Sequence, residues 1–410
     1  MGRKHLIIGC GSAALNALEG LRSINREDEV KLVTREELMP YSPSALPFLL
    51  SGNIKERDLW LRDGSFFERM KSTLVLGKEL TKISPGERKV FFEDGSSERY
   101  DSLLIATGSS PAVRKVKGLD KAGYMTFHTF YDYRAVRDTL IADGLARGGG
   151  VVIYGGGLVA LELAIPLLKA GWTVDLVVRS RLLRSYVDER FGERIIEVLS
   201  ANGARVHEGC TIEEVEKNGK GCEIQLSNKE IIRSDVPLLL ALGVKPAAEF
   251  LQDSGIERGE GIIVDRRMRT SARDIYAAGD VAEAPEFFQG KRGLSGILPS
   301  AVRQGMVAGV NMGGGDMEYK GWIPMNLFNI FGHVVFSIGL SRGEGVETME
   351  EIEDRQGGYK QLFFVEGNLV GARFMDVPVD PGVFLYLIEN RVDVSPHAEL
   401  MLRKPRETSR

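Results

Sequence analysis

Cysteine is scarce in this sequence. The 410 residues include three cysteines, Cys10, Cys210 and Cys222, and five histidines. A sparse and odd set excludes a disulfide framework and favours a reducing compartment, so we predict a cytoplasmic protein. Neither a CxxC pair nor any other metal-ligand spacing of cysteine and histidine occurs, so we predict no zinc or iron–sulfur site within this chain.

Long apolar runs are also absent. No stretch reaches about 18 apolar residues, so no membrane-spanning helix is predicted. The apolar run near the N-terminus is short and interrupted by glycine, which is typical of a strand and a helix rather than of a signal peptide. The net charge of −4 gives no basic surface of the kind that binds nucleic acid. We therefore expect a soluble globular protein, and 410 residues predict two or three domains.

Two segments have the pattern of a strand, a glycine turn, a helix and a second strand. The first is KHLIIGCGSAALNALEGLR followed by EVKLVT. Its helix has one apolar face, formed by Ala14, Leu15, Leu18 and Leu21. The second segment is GGGVVIYGGGLVALELAIPLLKAGWTVDLVVRS. The most linker-like point is 311–316. After it PMNLFNIFGHVVFSIGLS and YKQLFFVEGNLVGARFM are predicted as strands and GVFLYLIENR as a helix, which together predict a small α+β domain.

The first glycine turn has the pattern GxGxxA, formed by Gly9, Gly11 and Ala14. In a dinucleotide-binding turn the first glycine permits the tight turn, the second lets the backbone approach a pyrophosphate, and the small third residue allows close packing. Glu36, at the end of the next strand, is suited to accept hydrogen bonds from a ribose diol. The alternative is a tight turn without a ligand, and we expect Cys10 to be unreactive packing.

The second glycine turn has the same mechanics, with Gly155, Gly157 and a following Glu162. Its next strand ends differently, because Arg179 stands where an acid would bind a ribose diol. Guanidinium groups favour a 2′-phosphate, and Arg181 and Arg184 are close in the sequence. The alternative is that these are solvated loop arginines that bind no ligand.

Two further motifs complete an ordered series, ATGSSP and YAAGDVAE. The order GxGxxA, ATGSxP, GGGxxxxE and YAAGDxAE resembles the FAD-dependent pyridine nucleotide–disulfide oxidoreductase superfamily, and the similarity covers most of the chain. YSPSALPFLLSG, LPSAVRQGMVAGVNM and LVGARFM are similar to segments of its NADH oxidase, coenzyme A-disulfide reductase and nitrite reductase flavin-domain branch. In detail the chain resembles the NADH-dependent flavin subunits of phenylglyoxylate dehydrogenase and tungsten aldehyde oxidoreductase complexes.

The resemblance implies an α/β fold with two Rossmann-like domains for FAD and NAD(P), as in glutathione reductase, and a small C-terminal α+β domain. It implies that the FAD-binding domain takes residues 1–112 and 242–318. The NAD(P)-binding domain would take 113–241, and an interface domain would take 319–410. This last domain resembles a dimerisation domain but is short, so a homodimer is left open.

The resemblance also implies which residues contact the two nucleotides. For FAD they are Gly9, Gly11, Ser12, Ala13, Ala14, Glu36, Ser44, Leu80, Ala106, Thr107, Gly108, Asp280, Pro299 and Ala301. For NAD(P) they are Gly155, Gly157, Leu158, Val159, Glu162, Arg179 and Gly243. Glu36 would bind the adenosine ribose, Leu80 the adenine through its backbone, and Asp280 the ribitol chain. Leu158 departs from the family pattern, since many relatives have a tyrosine there that shields the flavin.

Ser44 matches the position of the redox cysteine in the coenzyme A-disulfide reductases. A serine hydroxyl forms neither a disulfide nor a sulfenic acid, so thiol relay chemistry is removed. Two interpretations of Ser44 stay open: a turn residue that bonds the local backbone, or a polar contact to the flavin edge.

We therefore predict an FAD-dependent NAD(P)H oxidoreductase without a redox-active cysteine, in which the protein positions the cofactors for hydride transfer. We expect both NADPH and NADH to be accepted. Three fates of the electrons stay open. The favoured one is transfer to an iron–sulfur partner in a larger complex. The others are a free-standing oxidase, quinone or dye reductase, and a redox-sensing flavoprotein.

Overall fold

The computed structural model describes residues 2–142, 148–288, 290–353 and 358–403. The chain forms two compact units. The first consists of Met1–Pro111 and Val244–Ile323, and the second of Ala112–Gly243 and Pro324–Arg410.

The strands of the described residues are β1 (Lys4–Ile8), β2 (Glu29–Val33), β3 (Ser72–Val75), β4 (Leu80–Ser84), β5 (Lys89–Phe92), β6 (Ser97–Arg99), β7 (Ser102–Ile105), β8 (Ser109–Pro111), β9 (Tyr124–Met125), β10 (Gly150–Tyr154), β11 (Thr173–Val178), β12 (Ala204–Glu208), β13 (Ile212–Asn218), β14 (Gly221–Leu226), β15 (Ile231–Ser234), β16 (Leu238–Leu240), β17 (Val244–Pro246), β18 (Ile262–Ile263), β19 (Ile275–Ala277), β20 (Ala282–Pro285), β21 (Arg292–Gly293), β22 (Met325–Ile330), β23 (His333–Gly339), β24 (Glu347–Glu353), β25 (Gly358–Val365) and β26 (Asn368–Met375). The α-helices are α1 (Ser12–Ile24), α2 (Leu46–Leu50), α3 (Gly64–Arg69), α4 (Leu119–Ala122), α5 (Phe130–Arg137), α6 (Leu158–Lys169), α7 (Glu189–Ala201), α8 (Leu298–Met312), α9 (Pro381–Glu389) and α10 (Ala398–Arg403).

The first unit is built on a parallel sheet with the strand order β19-β7-β1-β2-β3. Strands β1 and β7 are buried apolar runs, as expected for a parallel sheet that is covered on both faces. Ile8 pairs with Ile105, and Ile105 pairs with Ala277. The turns that follow β1, β7 and β19 therefore meet at one edge of the sheet, where ligands bind in such folds.

Helices α1 and α8 pack with their backbones in close contact. A Cβ atom on Gly305 would lie 2.1 Å from the carbonyl oxygen of Ala13, and one on Gly309 would lie 1.9 Å from that of Ala17. The two pairs are one helical turn apart, so small residues set the distance between the helices. The predicted apolar face of α1 is confirmed, because all its members are buried: Ala14, Leu15, Leu18 and Leu21.

The second unit contains a parallel sheet with the order β12-β11-β10-β16-β9. Helix α6 connects β10 to β11, and α7 leads into β12. Tyr154 at the end of β10 pairs with Leu240 at the end of β16. The turn after β10 and the segment after β16 therefore lie side by side at the carboxyl edge of this sheet.

The C-terminal part of the second unit is an antiparallel sheet with the order β22-β23-β26-β25-β24. Phe331 and Gly332, both at positive φ, form the two-residue turn between β22 and β23. Phe384 of α9 contacts the rings of Phe336 and Phe374 on the sheet. The predicted strands and helix of a small α+β region are thus confirmed.

The glycine-rich segment at 311–316 comprises the end of α8 and the turn after it, and it lies within the first unit rather than in a linker as its composition suggested. The Asn311 side chain donates to the carbonyl of Met317 and accepts from its N–H. The division into four segments, with an interface domain at 319–410, stays a prediction, and residues 354–357 and 404–410 of that domain lie outside the described residues.

The predicted fold class is confirmed: two Rossmann-like parallel sheets, each with a glycine turn after one strand, and a smaller α+β region. Within the described ranges, none of the helices has the length and apolar character needed to span a bilayer.

Candidate nucleotide-binding sites

The N-termini of the helices with eight or more residues fall into two groups in the described part of the chain. Helices α5, α7 and α9 are capped by the side chain of the preceding residue, namely Thr129, Asp188 and Asp380. Helices α1, α6 and α8 have no side-chain cap. The first N–H groups of a helix have no partner inside it, so an uncapped N-terminus attracts an anion or a polar ligand. These three helices begin at sequence-predicted nucleotide contacts.

Gly9 and Gly11 have different structural roles in the first turn. Gly9 has a φ of +115°, and a Cβ atom there would lie 2.1 Å from the carbonyl oxygen of Ala106. At Gly11 a Cβ atom would meet nothing within 4 Å. The fold therefore requires Gly9, whereas Gly11 leaves open space at the start of α1 where a ligand can approach the backbone.

Three small residues from different elements meet beside this turn. A Cβ atom on Gly279, after β19, would lie 3.1 Å from the Cβ of Ala13 in α1 and 3.9 Å from that of Ala301 in α8. Ala14 is fully buried, and Ser12 is partly exposed at the first position of α1. The structure thus brings Ser12, Ala13, Ala14 and Ala301 together around one turn.

The N-terminus of α8 presents an exposed end and a buried interior. Leu298 is 48% exposed, and Pro299 in the first turn is also exposed. Ala301 is buried against the Gly279 turn. A proline in the first helical turn loses no hydrogen bond, so Pro299 is compatible with this end of the helix.

Residues 106–108 directly follow β7, at the carboxyl end of that strand. The N–H of Ala106 donates to the carbonyl of Ile8, which joins it to the end of β1. Thr107 Oγ1 donates to the carbonyl of Ala247 at 2.7 Å, and the carbonyl of Gly108 accepts from the N–H of Ala247 at 3.0 Å. The predicted contacts in this segment are therefore fixed next to the first glycine turn.

Asp280 follows Gly279, which has a left-handed φ of +82°. Ser109 Oγ donates to Asp280 Oδ2 at 3.1 Å, which places this partly buried carboxylate beside Gly108. The N–H of Gly279 donates to Gln304 Oε1 at 2.8 Å. A carboxylate held in this way is suited to accept hydrogen bonds from ligand hydroxyl groups.

Glu36 lies three residues beyond β2, in a bend rather than at the strand end that the sequence suggested. Its Oε2 accepts a hydrogen bond of 2.8 Å from the hydroxyl of Tyr41. The carbonyl of Glu36 accepts from Gly77, and Lys78 donates to the carbonyl of Thr34. Leu80 begins β4 two residues after Lys78, so the chain brings Leu80 next to the bend that holds Glu36.

Ser44 is exposed in the short 3-10 turn Pro43–Ala45. Its hydroxyl lies 2.9 Å from Ser42 Oγ, so the partner is a neighbouring side chain and not the backbone that one interpretation expected. No hydrogen bond described in the structure joins Ser44 to another predicted FAD contact. A role at the flavin edge therefore stays a prediction.

The second glycine turn repeats the geometry of the first. Gly155 has a φ of +153°, and a Cβ atom there would lie 2.1 Å from the carbonyl oxygen of Ala241. At Gly157 a Cβ atom would meet nothing within 4 Å. Gly243, at a φ of +92°, follows β16 by three residues and likewise faces open space. The predicted glycines of this turn thus lie at one edge of the sheet.

The first turn of α6 contains Leu158 and Val159, both partly exposed, and leads to Glu162. Burial raises the pKa of Glu162 to about 7. Burial also raises the pKa of Tyr186, with a further contribution from the Glu162 charge. A partly buried carboxyl with a raised pKa can carry a proton at neutral pH. It can then donate a hydrogen bond to a bound ligand as well as accept one.

The three arginines after β11 differ in their surroundings. Arg181 donates to the carbonyls of Val187 and Asp188, so it braces the loop before α7 and is not free for a phosphate. Arg179 and Arg184 are exposed and form no ion pair or hydrogen bond among the described residues. Arg179 stays the candidate for 2′-phosphate binding, and the predicted contribution of Arg181 is corrected.

All three cysteines are buried and free. Burial raises the pKa of Cys10 to about 12 and that of Cys222 to about 11. Reactive cysteines require an accessible thiolate, and burial disfavours the thiolate of both groups. That Cys10 is unreactive packing stays a prediction.

Sequence reasoning missed two polar residues that support the first site. Tyr41 holds Glu36, and nothing in the local pattern marks it, because the contact depends on the course of the chain between them. Gln304 holds Gly279 and is completely buried. A signal for it existed, since a polar residue four positions after Ser300 lies on the same face of α8.

The chain is similar to known proteins in both sequence and fold. The family described as "Pyridine nucleotide-disulphide oxidoreductase" matches residues 3–305. The family described as "Rubredoxin NAD+ reductase C-terminal domain" matches residues 324–376. The two matches together cover both Rossmann-like sheets and all five strands of the antiparallel C-terminal sheet.

Among curated proteins, subunit epsilon of the NADH-dependent phenylglyoxylate dehydrogenase of Aromatoleum evansii is 35% identical over 407 residues, 98% of this chain and 95% of that protein. The NADH-rubredoxin oxidoreductase of Clostridium acetobutylicum is 28% identical over 82% of this chain and 81% of its own length. Among solved structures, the covalent putidaredoxin reductase–putidaredoxin complex matches with a TM-score of 0.86 at 22% identity, over 97% of this chain and 95% of that chain.

Proposed function

The chain belongs to the pyridine nucleotide-disulphide oxidoreductase family, and from this premise we propose that it carries electrons between a nicotinamide nucleotide and an iron–sulfur partner protein of a larger complex. The chain is an FAD-dependent NADH oxidoreductase, as its family and relatives are. The partner and the role as a subunit are the proposal.

The residues of the first unit fit FAD. Helix α1 begins without a side-chain cap and with open space at Gly11, which suits a pyrophosphate. Glu36 would accept from the adenosine ribose, and Leu80 would present its backbone to the adenine. Asp280 would accept from the ribitol chain, and Pro299 and Ala301 at the uncapped N-terminus of α8 would approach the pyrimidine end of the flavin.

The residues of the second unit fit a nicotinamide nucleotide in the same way. Helix α6 also begins without a side-chain cap and with open space at Gly157. Leu158, Val159 and Glu162 line the helix side of this turn, and Gly243 the opposite side. Arg179 is available for a 2′-phosphate, so we propose that NADPH is accepted besides NADH.

Bound FAD supplies the redox chemistry, because it accepts a hydride from the nicotinamide and can release the two electrons singly. The protein binds, orients and shields the nucleotides, and no acid or base side chain is required for hydride transfer itself.

The absence of an accessible thiol carries the proposal. Ser44 occupies the position of the redox cysteine, and the three cysteines of the chain are buried. Electrons therefore leave without a protein disulfide and need an acceptor outside the chain.

The relatives support an iron–sulfur acceptor. One is a subunit of an NADH-dependent dehydrogenase, and another is an NADH-rubredoxin oxidoreductase. A second candidate follows from the match of residues 324–376 to the C-terminal domain of rubredoxin NAD+ reductase. In it the chain is a free-standing reductase of a small electron carrier protein. Homodimerisation stays a prediction in both cases.

Anaerobic purification of the tagged chain from its native host tests the proposal. We expect a yellow protein with about one FAD per chain and co-purified subunits that contain iron–sulfur centres. Titration with NADH under argon should stop at two electrons per FAD. The isolated chain should reduce one-electron dyes fast, and O₂ or coenzyme A disulfide slowly.

Other outcomes point elsewhere. Uptake of four electrons per FAD would reveal a redox pair in the protein and contradict the argument from Ser44. Fast oxidase or disulfide reductase activity of the lone chain would replace the complex with a free-standing enzyme. Slow reduction by NADH with little turnover on any acceptor would favour a redox sensor.

A further inference from the structure

Gln304 is an uncharged polar side chain that is completely buried in the first unit. A buried amide group is costly unless both of its ends form hydrogen bonds. Oε1 of Gln304 accepts from the N–H of Gly279 at 2.8 Å, and Nε2 donates to Ser300 Oγ at 3.0 Å. A backbone N–H can only donate, so the amide oxygen must face Gly279. The orientation of this side chain is thereby fixed.

The network that begins at Gln304 continues away from the turn. Ser300 Oγ lies 2.7 Å from the hydroxyl of Tyr319, and both residues are buried. Tyr319 is joined to the backbone of Arg266 through its own N–H. The amide of Gln304 is thus held from one side by Ser300 and holds Gly279 on the other.

The partner of Gln304 stands at a sensitive place in the fold. Gly279 has a left-handed φ of +82° and lies against Ala13 and Ala301, which belong to the first turns of α1 and α8. Gly305, the neighbour of Gln304 in sequence, lies against the carbonyl of Ala13. The hydrogen bond from Gly279 to Gln304 therefore joins the turn that carries Asp280 to α8, next to the point at which α8 packs against the first turn of α1.

We propose that Gln304 is a positioning residue for FAD, which sets the location of Asp280 relative to the N-termini of α1 and α8. This inference rests on the proposed function, since it takes these groups as the contacts of FAD. Without the amide oxygen, the buried N–H of Gly279 has no acceptor, and a glycine turn readily adopts another conformation to find one. Asp280 then moves away from its place beside Ser109.

The test compares Gln304→Met with a control in the same helix. Methionine has a similar volume and no acceptor. Asn311→Leu removes a buried amide from α8 that holds Met317 and Arg267 instead of the Gly279 turn. For each full-length chain, stripped of FAD, the Kd for FAD, the visible circular dichroism of bound FAD and the Tm of the stripped protein are measured.

We expect Gln304→Met to raise the Kd for FAD about 10-fold, the scale of one lost hydrogen bond, and to change the visible dichroism. Asn311→Leu should lower the Tm of the stripped chain but leave the Kd within about 3-fold of the wild type. An unchanged Kd and an unchanged dichroism in Gln304→Met would overturn the inference, and so would an equal rise of the Kd in Asn311→Leu.

Gln304→Asn provides the second variant, which decides if Gln304→Met does not fold. Asparagine keeps a buried amide group on α8 but is one methylene group shorter, so its oxygen does not reach the N–H of Gly279 as Oε1 of Gln304 does. We expect this variant to raise the Kd for FAD about 10-fold. A Kd within about 3-fold of the wild type would overturn the inference.

The outcome for the proposed function is separate. A wild-type chain that binds no FAD would remove the proposed function together with this inference. If the wild-type chain binds FAD and Gln304→Met has the same Kd and the same visible dichroism, only the inference is contradicted.

Discussion

The two glycine turns share their backbone mechanics and differ in their surroundings. In each, the first glycine has a positive φ, and a Cβ atom there would lie 2.1 Å from the carbonyl oxygen of the residue that follows the neighbouring strand, β7 or β16. In each, the last glycine faces open space at an uncapped helix. The first turn is covered by α8 and by the Gly279 turn, whereas the residues that begin α6 are partly exposed.

The side chains that follow the second strand of each strand–helix–strand unit, β2 and β11, differ as well. Glu36 is held by Tyr41, whereas Arg179 has no partner among the described residues. A preorganised contact loses less conformational entropy on binding than a free side chain does. The first turn therefore suits a cofactor that stays bound, and the second suits a substrate that must exchange in every turnover. The comparison indicates that the same glycine turn can serve a bound cofactor or an exchanging substrate. The residues packed around the turn determine which of the two it suits.

The largest effect is expected where the two turns are alike. Gly9→Ala and Gly155→Ala each place a Cβ against a carbonyl oxygen at a positive φ. Strain and overpacking each cost roughly 1–3 kcal/mol, so we expect a loss of about 2–6 kcal/mol in the free energy of unfolding. Urea unfolding of the stripped chain measures it.

Gly11→Ala and Gly157→Ala are the matched controls, because a Cβ there meets nothing within 4 Å. They should leave the unfolding free energy within about 1 kcal/mol and instead weaken the binding of one nucleotide each. Equal losses of stability in all four variants would contradict the assigned difference between turn glycines and ligand-facing glycines.

Asp280→Ala removes a feature that only the first site has. The ribitol hydroxyl loses a charged acceptor, so FAD affinity should fall by about 1–3 kcal/mol, roughly 5- to 150-fold. Retention of FAD during gel filtration and the Kd from titration measure this. Glu87→Ala, in the exposed turn before β5, is the control and should leave the Kd unchanged. Full retention of FAD in Asp280→Ala would remove Asp280 from the site.

Arg179→Glu makes the second turn resemble the first. The acid favours a ribose diol and repels a 2′-phosphate, so the ratio of kcat/KM for NADH to that for NADPH should rise roughly 5- to 150-fold. This change corresponds to about 1–3 kcal/mol. Arg184→Glu, which is also exposed and without a described partner, is the control. If both variants leave the ratio unchanged, Arg179 is a solvated loop residue.

Tyr41→Phe removes the anchor that makes Glu36 differ from Arg179. The variant deletes the hydrogen bond from the Tyr41 hydroxyl to the Glu36 carboxylate and leaves the carboxylate itself in place, so FAD affinity should fall by about 0.5–1.5 kcal/mol. Titration of the stripped chain with FAD measures the change. Trp60 contacts the Tyr41 ring edge to face, and a matching fluorescence of the two stripped chains would show that the packing is retained. A loss above that range would mean that the tyrosine does more than orient Glu36.

The smallest effect concerns His5, at the opposite end of β1 from the first glycine turn. Its Nε2 lies 3.0 Å from Asp28 Oδ2, and burial lowers its pKa below 6.5 against the opposing hydrogen bond and charge of Asp28. The unfolded chain therefore binds this proton more readily than the native chain. The stabilising contribution is complete above about pH 6.5 and is lost as the pH falls below that value.

Urea unfolding of the stripped chain at pH 7.5 and pH 5.5 checks the direction. The wild type should lose more stability between these pH values than His5→Gln, in which no imidazole titrates. An equal loss of unfolding free energy in both chains would show that other titratable groups account for the loss of stability at low pH.

Much of the fold could be predicted from the sequence, because it depends on short-range patterns. Apolar runs such as KHLII form central parallel strands, and the spacing of Ala14, Leu15, Leu18 and Leu21 gives one buried helix face. Both glycine turns were visible too, since only glycine tolerates a positive φ beside a neighbouring carbonyl. The ordered motifs were specific enough to identify the family before any contact was known.

The roles within the site depended on the tertiary structure. Arg179 and Arg181 are alike in sequence, yet only Arg181 meets the carbonyls of Val187 and Asp188. The glycine-rich stretch at 311–316 has the composition of a linker, but Asn311 fixes it as a turn. Composition reports the tendency of a segment, and the partner that satisfies a polar group is decided by how the chain folds around it.

The sequence by itself determined where backbone can turn and which residue types can hold a nucleotide. The tertiary structure decided which polar side chains serve the site from outside it. Tyr41 reaches Glu36, and Gln304 reaches Gly279, only because the chain returns to bring them within hydrogen-bond distance. Such bonds carry no local periodicity, since a buried donor must be satisfied by whichever acceptor folding brings to it.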